Sequence, residues 1–206
     1  MRLLLAPVLV FALALAGCGA EETDEAAAPQ PATVTETVAE TLPPPTTEPE
    51  VACSTAALRL TLPDQDLPPA VADVRKRVFD ATVACDYDTL AQIALEQGEG
   101  FTFSYGGGAD ASKYWHRVEE AGTERPLPMR ALAAILAMPF TRNESGSYAW
   151  PTAYDESPEE PDWQALVDAG LYTQEEIESM RAGGSYLGYR TAITADGDWQ
   201  FFVAGD

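Results

Sequence analysis

This sequence of 206 residues predicts an α+β fold, with helices first and an antiparallel sheet after them. Three observations carry that reading. Between Pro68 and Gly122, apolar residues recur at helical spacing behind capping residues. Tyr186–Thr194 and Trp199–Ala204 alternate around Asp196-Gly197, the pattern of a β-hairpin. Residues 19 to 50 are mostly Ala, Glu, Thr and Pro without one aromatic, too little apolar surface to offset chain entropy. A disordered tether followed by a single domain over residues 51–206 is therefore expected.

Taken in order, Leu58, Leu60 and Leu62 alternate with polar residues, as in a short strand. Pro68-Pro69 then opens a helix reaching about Ala84, with Val71, Val74, Val78 and Phe79 on one face and Cys85 following. Asp86 caps a second helix, with Leu90, Ile93 and Ala94 inward and Gly98 as terminator. Phe101 to Tyr105 reads as a strand broken by Gly106-Gly107-Gly108. Asp110 caps the next helix, which runs to Gly122. Pro126 and Pro128 start another, apolar nearly all round and hence buried, and Pro139 ends it.

A strand near Ser147–Trp150 comes next, then an acidic loop from Asp155 to Glu160. Pro161 begins a short helix ended by Gly170, and Thr173-Gln174-Glu175-Glu176 is a capping box for a helix ending near Gly183-Gly184. The last strand, Trp199 to Ala204, is too apolar for an open edge and is expected to be central or covered.

The N-terminus carries one charge, Arg2, before an apolar run from Leu3 to Ala16. At ~1.5 Å per residue the run spans roughly 21 Å, short of the ~30 Å hydrocarbon core, so it reads as the apolar part of a signal peptide. It ends in Leu15-Ala16-Gly17-Cys18, which resembles the lipobox of bacterial lipoproteins at all four positions. The resemblance implies cleavage before Cys18 and a diacylglyceryl group on its thiol. Residues 1–17 are then the leader. Residues 18–50 form a lipidated, acidic tether with a reach on the order of 100 Å. Two or more acyl chains at ~0.8 kcal/mol per buried CH₂ make such attachment stable. An extracytoplasmic location at the cell membrane follows.

With Cys18 lipidated, Cys53 and Cys85 remain as an even pair in an exported chain. A disulfide between them would close a loop of about 33 residues and contribute ~3–4 kcal/mol. Two free thiols, or Cys53 alone in a mobile tail, are the alternatives. No CxxC or Cys/His spacing suggests a metal site, and a single histidine disfavours zinc. No cofactor is implied. The formal charge of −21, with eight acids and no base from Glu21 to Glu50, repels phosphates and anionic headgroups. Nucleic acid is therefore not an expected partner.

Two further resemblances concern the domain itself. Val78-Phe79-Asp80-Ala81 and Asp86-Tyr87-Asp88-Thr89-Leu90 resemble the opening of cone-shaped folds of the nuclear transport factor 2 type. Tyr148-Ala149-Trp150-Pro151, with Gly188-Tyr189-Arg190, Asp196-Gly197-Asp198-Trp199 and Phe202 to Asp206, resembles secreted bacterial proteins of uncharacterised activity. The first implies a pocket, the second export alone.

Candidate chemistry is sparse. His116, the only histidine, falls opposite the apolar stripe Ala111, Tyr114, Trp115, Val118 and Ala121, beside Lys113, Glu119 and Glu120, and reads as solvated. Gly106, Gly108 and Ala111 satisfy a dinucleotide-loop spacing, but the Asp110 carboxylate occupies the helix N-terminus and no βαβ unit follows. Gly183-Gly184-Ser185-Tyr186-Leu187 lacks the final glycine of a nucleophile elbow. The acids Asp155, Glu156, Glu159, Glu160 and Asp162 offer the oxygens calcium wants but lack EF-hand spacing, and read as a solvated acidic loop. Tyr105, Tyr148, Trp150, Tyr154, Tyr189 and Trp199 can line a pocket with Arg190 as its charged element, or pack the core around one structural ion pair.

The function expected is a tethered module that binds an envelope protein or small ligand, or serves structurally, without catalysis. The alternative is an enzyme with acid–base residues in a cone-shaped pocket. The enzyme needs a deep, partly apolar cavity holding a carboxylate or His116. The binding module needs only an exposed patch or shallow groove.

Overall fold

A computed structural model describes residues 53–56, 58, 60–96, 100–106 and 108–205, and among these residues lie six helices and a four-stranded antiparallel sheet. The leader, Cys18, the acidic tract, Gly98 and Gly107 lie outside the described residues. The helices α1 (Pro69–Val83), α2 (Tyr87–Leu95), α3 (Ala111–Ala121) and α4 (Pro128–Leu136) come first. The hairpin β1 (Thr141–Arg142) and β2 (Tyr148–Trp150) and a 3-10 turn (Thr152–Tyr154) follow. Then come α5 (Glu160–Asp168), α6 (Gln174–Gly183), β3 (Arg190–Ile193) and β4 (Trp199–Val203). The sheet order is β1-β2-β3-β4. The α+β class, with helices ahead of a sheet that ends in a hairpin, is as the sequence predicts.

Local chemistry sets most helix boundaries. The Asp86 carboxylate accepts from the Thr89 N–H (2.9 Å) and starts α2; Asp110 does the same for α3 through Lys113 N–H (3.0 Å). Thr173 and Glu176 exchange side-chain and backbone bonds in a reciprocal box at the start of α6. Gly122 and Gly184 close α3 and α6 in the left-handed region, at φ 61° and 82°. α2 ends at Leu95, ahead of the expected terminator.

α4 differs. Its N-cap, Leu127, has no side chain that can accept a bond, yet nearly the whole helix is buried, so its first amides need partners from elsewhere. The Glu119 carboxylate on α3 accepts from Met129 N–H (2.7 Å), and the Ser54 hydroxyl accepts from Arg130 N–H (3.1 Å) while donating to Glu119 (3.0 Å). Glu119 is 5% exposed. The expectation that it shares the solvated side of α3 with His116 is thus corrected. It lies four residues past Trp115, on the edge of the buried stripe.

The core lies between the helices and one face of the sheet, with α1 and α4 packed on β3 and α2 on β4. Trp115 is its centre, 6.0 Å from Trp199 in a stacked pair and 6.1 Å from both Phe202 and Phe101. Such pairs add ~0.5–1.5 kcal/mol beyond their buried area.

Two expected strands are corrected. Leu60 and Leu62 pack against the core, but Leu58 and residues 60–62 pair with no strand; their alternation records burial on one side. Within Phe101–Tyr105 only Thr102 bridges, in parallel, to β4. That bridge has a use: β4 ends the ladder, and Thr102 gives and takes backbone bonds with Gln200 (3.0 Å) and Phe202 (2.9 Å), covering the edge. The apolar last strand is covered, not central. The strand expected from Tyr186 begins only at Arg190. Before it, the Tyr189 N–H donates to the Tyr172 phenol (2.9 Å), and the Tyr186 phenol donates to the Tyr189 carbonyl (2.8 Å). A Cβ on Gly188 would lie 2.4 Å from the Tyr186 phenol, so the chain passes there only as glycine.

Candidate functional site

The four residues expected to share a pocket, Arg190, Tyr189, Trp150 and Tyr105, separate by sheet face. Pairing of Trp150 with Thr191 and of Arg190 with Val203 puts Trp150 and Arg190 on opposite sides. Trp150 is fully buried on the helix side, its ring 5.7 Å from the Arg75 guanidinium and its N–H donating to Gln65 (3.3 Å). Tyr189, on the same side, stacks on Phe202 at 5.1 Å and donates its phenol to Glu124. Burial first, and the bond to the Glu124 carboxylate second, push that phenol far above its ordinary range, so it stays protonated.

Arg190 and Tyr105 do meet, on the other face. The guanidinium is 7% exposed and donates to the carbonyls of Gly188 (3.1 Å) and Gly205 (2.7 Å) and to the Tyr105 phenol (3.1 Å). The Tyr154 ring lies 5.4 Å from its carbon and the Tyr105 ring 5.9 Å. The expected ion pair is corrected: among the described residues Arg190 meets backbone carbonyls and phenols, not a carboxylate. Backbone carbonyls that the fold brings to one point are invisible in a residue pattern, so the pattern points to a side-chain partner instead.

Tyr154 also lines a surface groove of about 820 Å³ between the β1–β2 turn and the α5–α6 pair. Arg142, Asp155, Glu156, Arg181 and Tyr186 line it with Tyr154. Three of its charged residues already have partners. Arg142 lies over the Tyr148 ring (4.0 Å), and Arg181 pairs with Glu160 (2.6 Å). Asp155 accepts from the Thr141 hydroxyl and the Ser157 N–H, which hold its carboxyl below the usual range. Asp162 accepts from the Glu159 N–H (2.8 Å). Among the described residues no group of three His, Cys, Asp or Glu is placed to hold a metal ion.

A second groove, about 350 Å³, has His116 on its wall with Asp86, Tyr87, Asp88, Lys113 and Glu120. The imidazole is half exposed, 4.0 Å from the Glu120 carboxylate and edge-on to Tyr87 at 5.3 Å. Burial, then the charge of Glu119, push the Tyr87 phenol up to about 12. His116 thus sits on a solvated surface, as its helical phase implies. Ahead of α3, the Asp110 carboxylate already occupies the helix N-terminus where a phosphate would sit, and a Cβ on Gly108 would lie 3.2 Å from the Phe103 ring. Ser185 follows the end of α6 rather than a strand.

Cys53 and Cys85 form a disulfide with Cα atoms 5.9 Å apart. Cys85 is the one non-glycine residue at positive φ (50°) among the described residues, just past α1. Comparison with known protein families, curated proteins and solved structures finds nothing that matches this chain.

Proposed function

We propose that this chain is an exported lipoprotein, cut before Cys18 and held at the extracytoplasmic face of the cell membrane by lipid on that cysteine. There it acts as a non-catalytic module that binds a small ligand or an envelope protein. The observation that carries the reading is Leu15-Ala16-Gly17-Cys18 placed directly behind the apolar run Leu3–Ala16. An oxidised Cys53–Cys85 pair suits an exported chain, since thiols inside the cytosol are kept reduced.

Three features favour binding over catalysis. The only imidazole is half exposed, Arg190 directs three hydrogen bonds to two carbonyls and a phenol, and the buried Glu119 carboxylate is committed to α4. The open polar groove bordered by Tyr154 and Arg181 is the surface on which a ligand or partner loop would rest.

The test is detergent-phase partitioning of the full chain expressed in a bacterium. The wild-type chain is expected in the detergent phase and Cys18→Ala in the aqueous phase or as an uncut precursor. Equal partitioning of the two would remove the anchor from the account.

A further inference from the structure

Three consecutive residues at the entrance to the domain tie it to the helical layer, two at the end of α1 and one between α3 and α4. Cys53 is bonded to Cys85, past the end of α1. The Ser54 hydroxyl bridges Glu119 and the Arg130 N–H at the start of α4. The Thr55 hydroxyl, on a residue 2% exposed, donates to the carbonyl of Val83, the last residue of α1 (2.8 Å). One short turn thus satisfies an orphan carbonyl at one helix end and an orphan amide at another.

We propose that the Cys53–Cys85 bond is a redox-set latch that holds Ser54 and Thr55 in register as caps, so that its reduction uncaps α4 and the end of α1 without unfolding the core. Both cysteines are only partly buried, and Cys85 borders the solvent-open groove that holds His116, so a reductant reaches the bond. The chemistry is exchange with a dithiol. A thiolate of the reductant attacks one sulfur to give a mixed disulfide, and its second thiol displaces the protein sulfur. Two electrons and two protons pass to Cys53 and Cys85, and the reductant leaves as its own disulfide.

Cys85 adds a reason for the latch to open once cut. Its left-handed backbone is costly for a residue with a Cβ. The two amides at the start of α4 then respond differently. The Met129 N–H keeps its acceptor, because Glu119 belongs to α3, whereas the Arg130 N–H loses Ser54.

That split defines the experiment: residue-resolved amide hydrogen exchange on the full chain in detergent micelles, oxidised and then reduced with dithiothreitol. Stoichiometric labelling of two protein thiols verifies the reduction. Exchange at Arg130 is expected to rise about fivefold, as for loss of a typical cap, while Ile135 and Leu136 in the same helix hold their protection. Ser54→Ala in the oxidised chain is expected to reproduce the Arg130 change with the disulfide intact. Unchanged exchange at Arg130 on reduction overturns the latch, as does a rise of equal size at Ile135 and Leu136. A Ser54→Ala chain indistinguishable from wild type at Arg130 overturns the part assigned to Ser54.

Discussion

α6 and α4 are both well-formed helices, but they begin by opposite means. α6 carries its own start: Thr173 and Glu176 lie three residues apart and satisfy each other's backbone amides. α4 carries nothing of the kind. Its first amides depend on Glu119, ten positions back on another helix, and on Ser54, 76 positions back beside a disulfide. A local cap survives almost any rearrangement of its surroundings. A long-range cap lasts only while the fold delivers its partners, so the start of α4 reports on the integrity of the domain entrance.

Removing the disulfide breaks this contrast most severely. Replacing Cys53 and Cys85 by Ser is expected to cost about 3–4 kcal/mol in chemical denaturation, from the loop it closes. Next, Glu119→Ala leaves the buried Met129 amide without its charged acceptor and is expected to cost about 2–3 kcal/mol. Glu119→Gln, which keeps an acceptor oxygen, should lose less. At the self-capped end, Thr173→Ala is expected to cost only about 1 kcal/mol. If it matched Glu119→Ala, the distinction between local and long-range caps would fail.

The smallest expected effect is one of pH. Bonds from the Thr89 amide and hydroxyl lower the Asp86 carboxyl, and bonds from Thr173 lower Glu176. A carboxyl whose folded value is depressed contributes stability above its unfolded value, and this is lost as pH falls through the folded value. Stability should therefore decline below the ordinary carboxylate range, and an Asp86→Asn, Glu176→Gln chain should lose part of that slope. Both groups are exposed, so solvent screening keeps the change small.

The same contrast explains what was legible beforehand. Caps written within four residues, at Asp86, Asp110 and Thr173, could be read directly, as could the hairpin around Asp196-Gly197. Alternation was legible as one-sided burial but not as pairing: Leu58–Leu62 and Phe101–Phe103 alternate because one side meets the core, and only Thr102 finds a strand. The polarity of Glu119 points to solvent, whereas its spacing from Trp115 places it at the core's edge. The site residues were least legible. Trp150 and Arg190 have the right chemistry for one pocket, and only the register of β2 against β3 puts them on opposite faces.

The proposed location of this protein rests on Cys18, and intact mass of the mature chain recovered from cells tests it most directly. The expected species starts at Cys18 and is heavier than that polypeptide by a diacylglyceryl group, with or without one further acyl chain. A species that keeps Met1, or one that starts at Cys18 with a bare thiol, would contradict it.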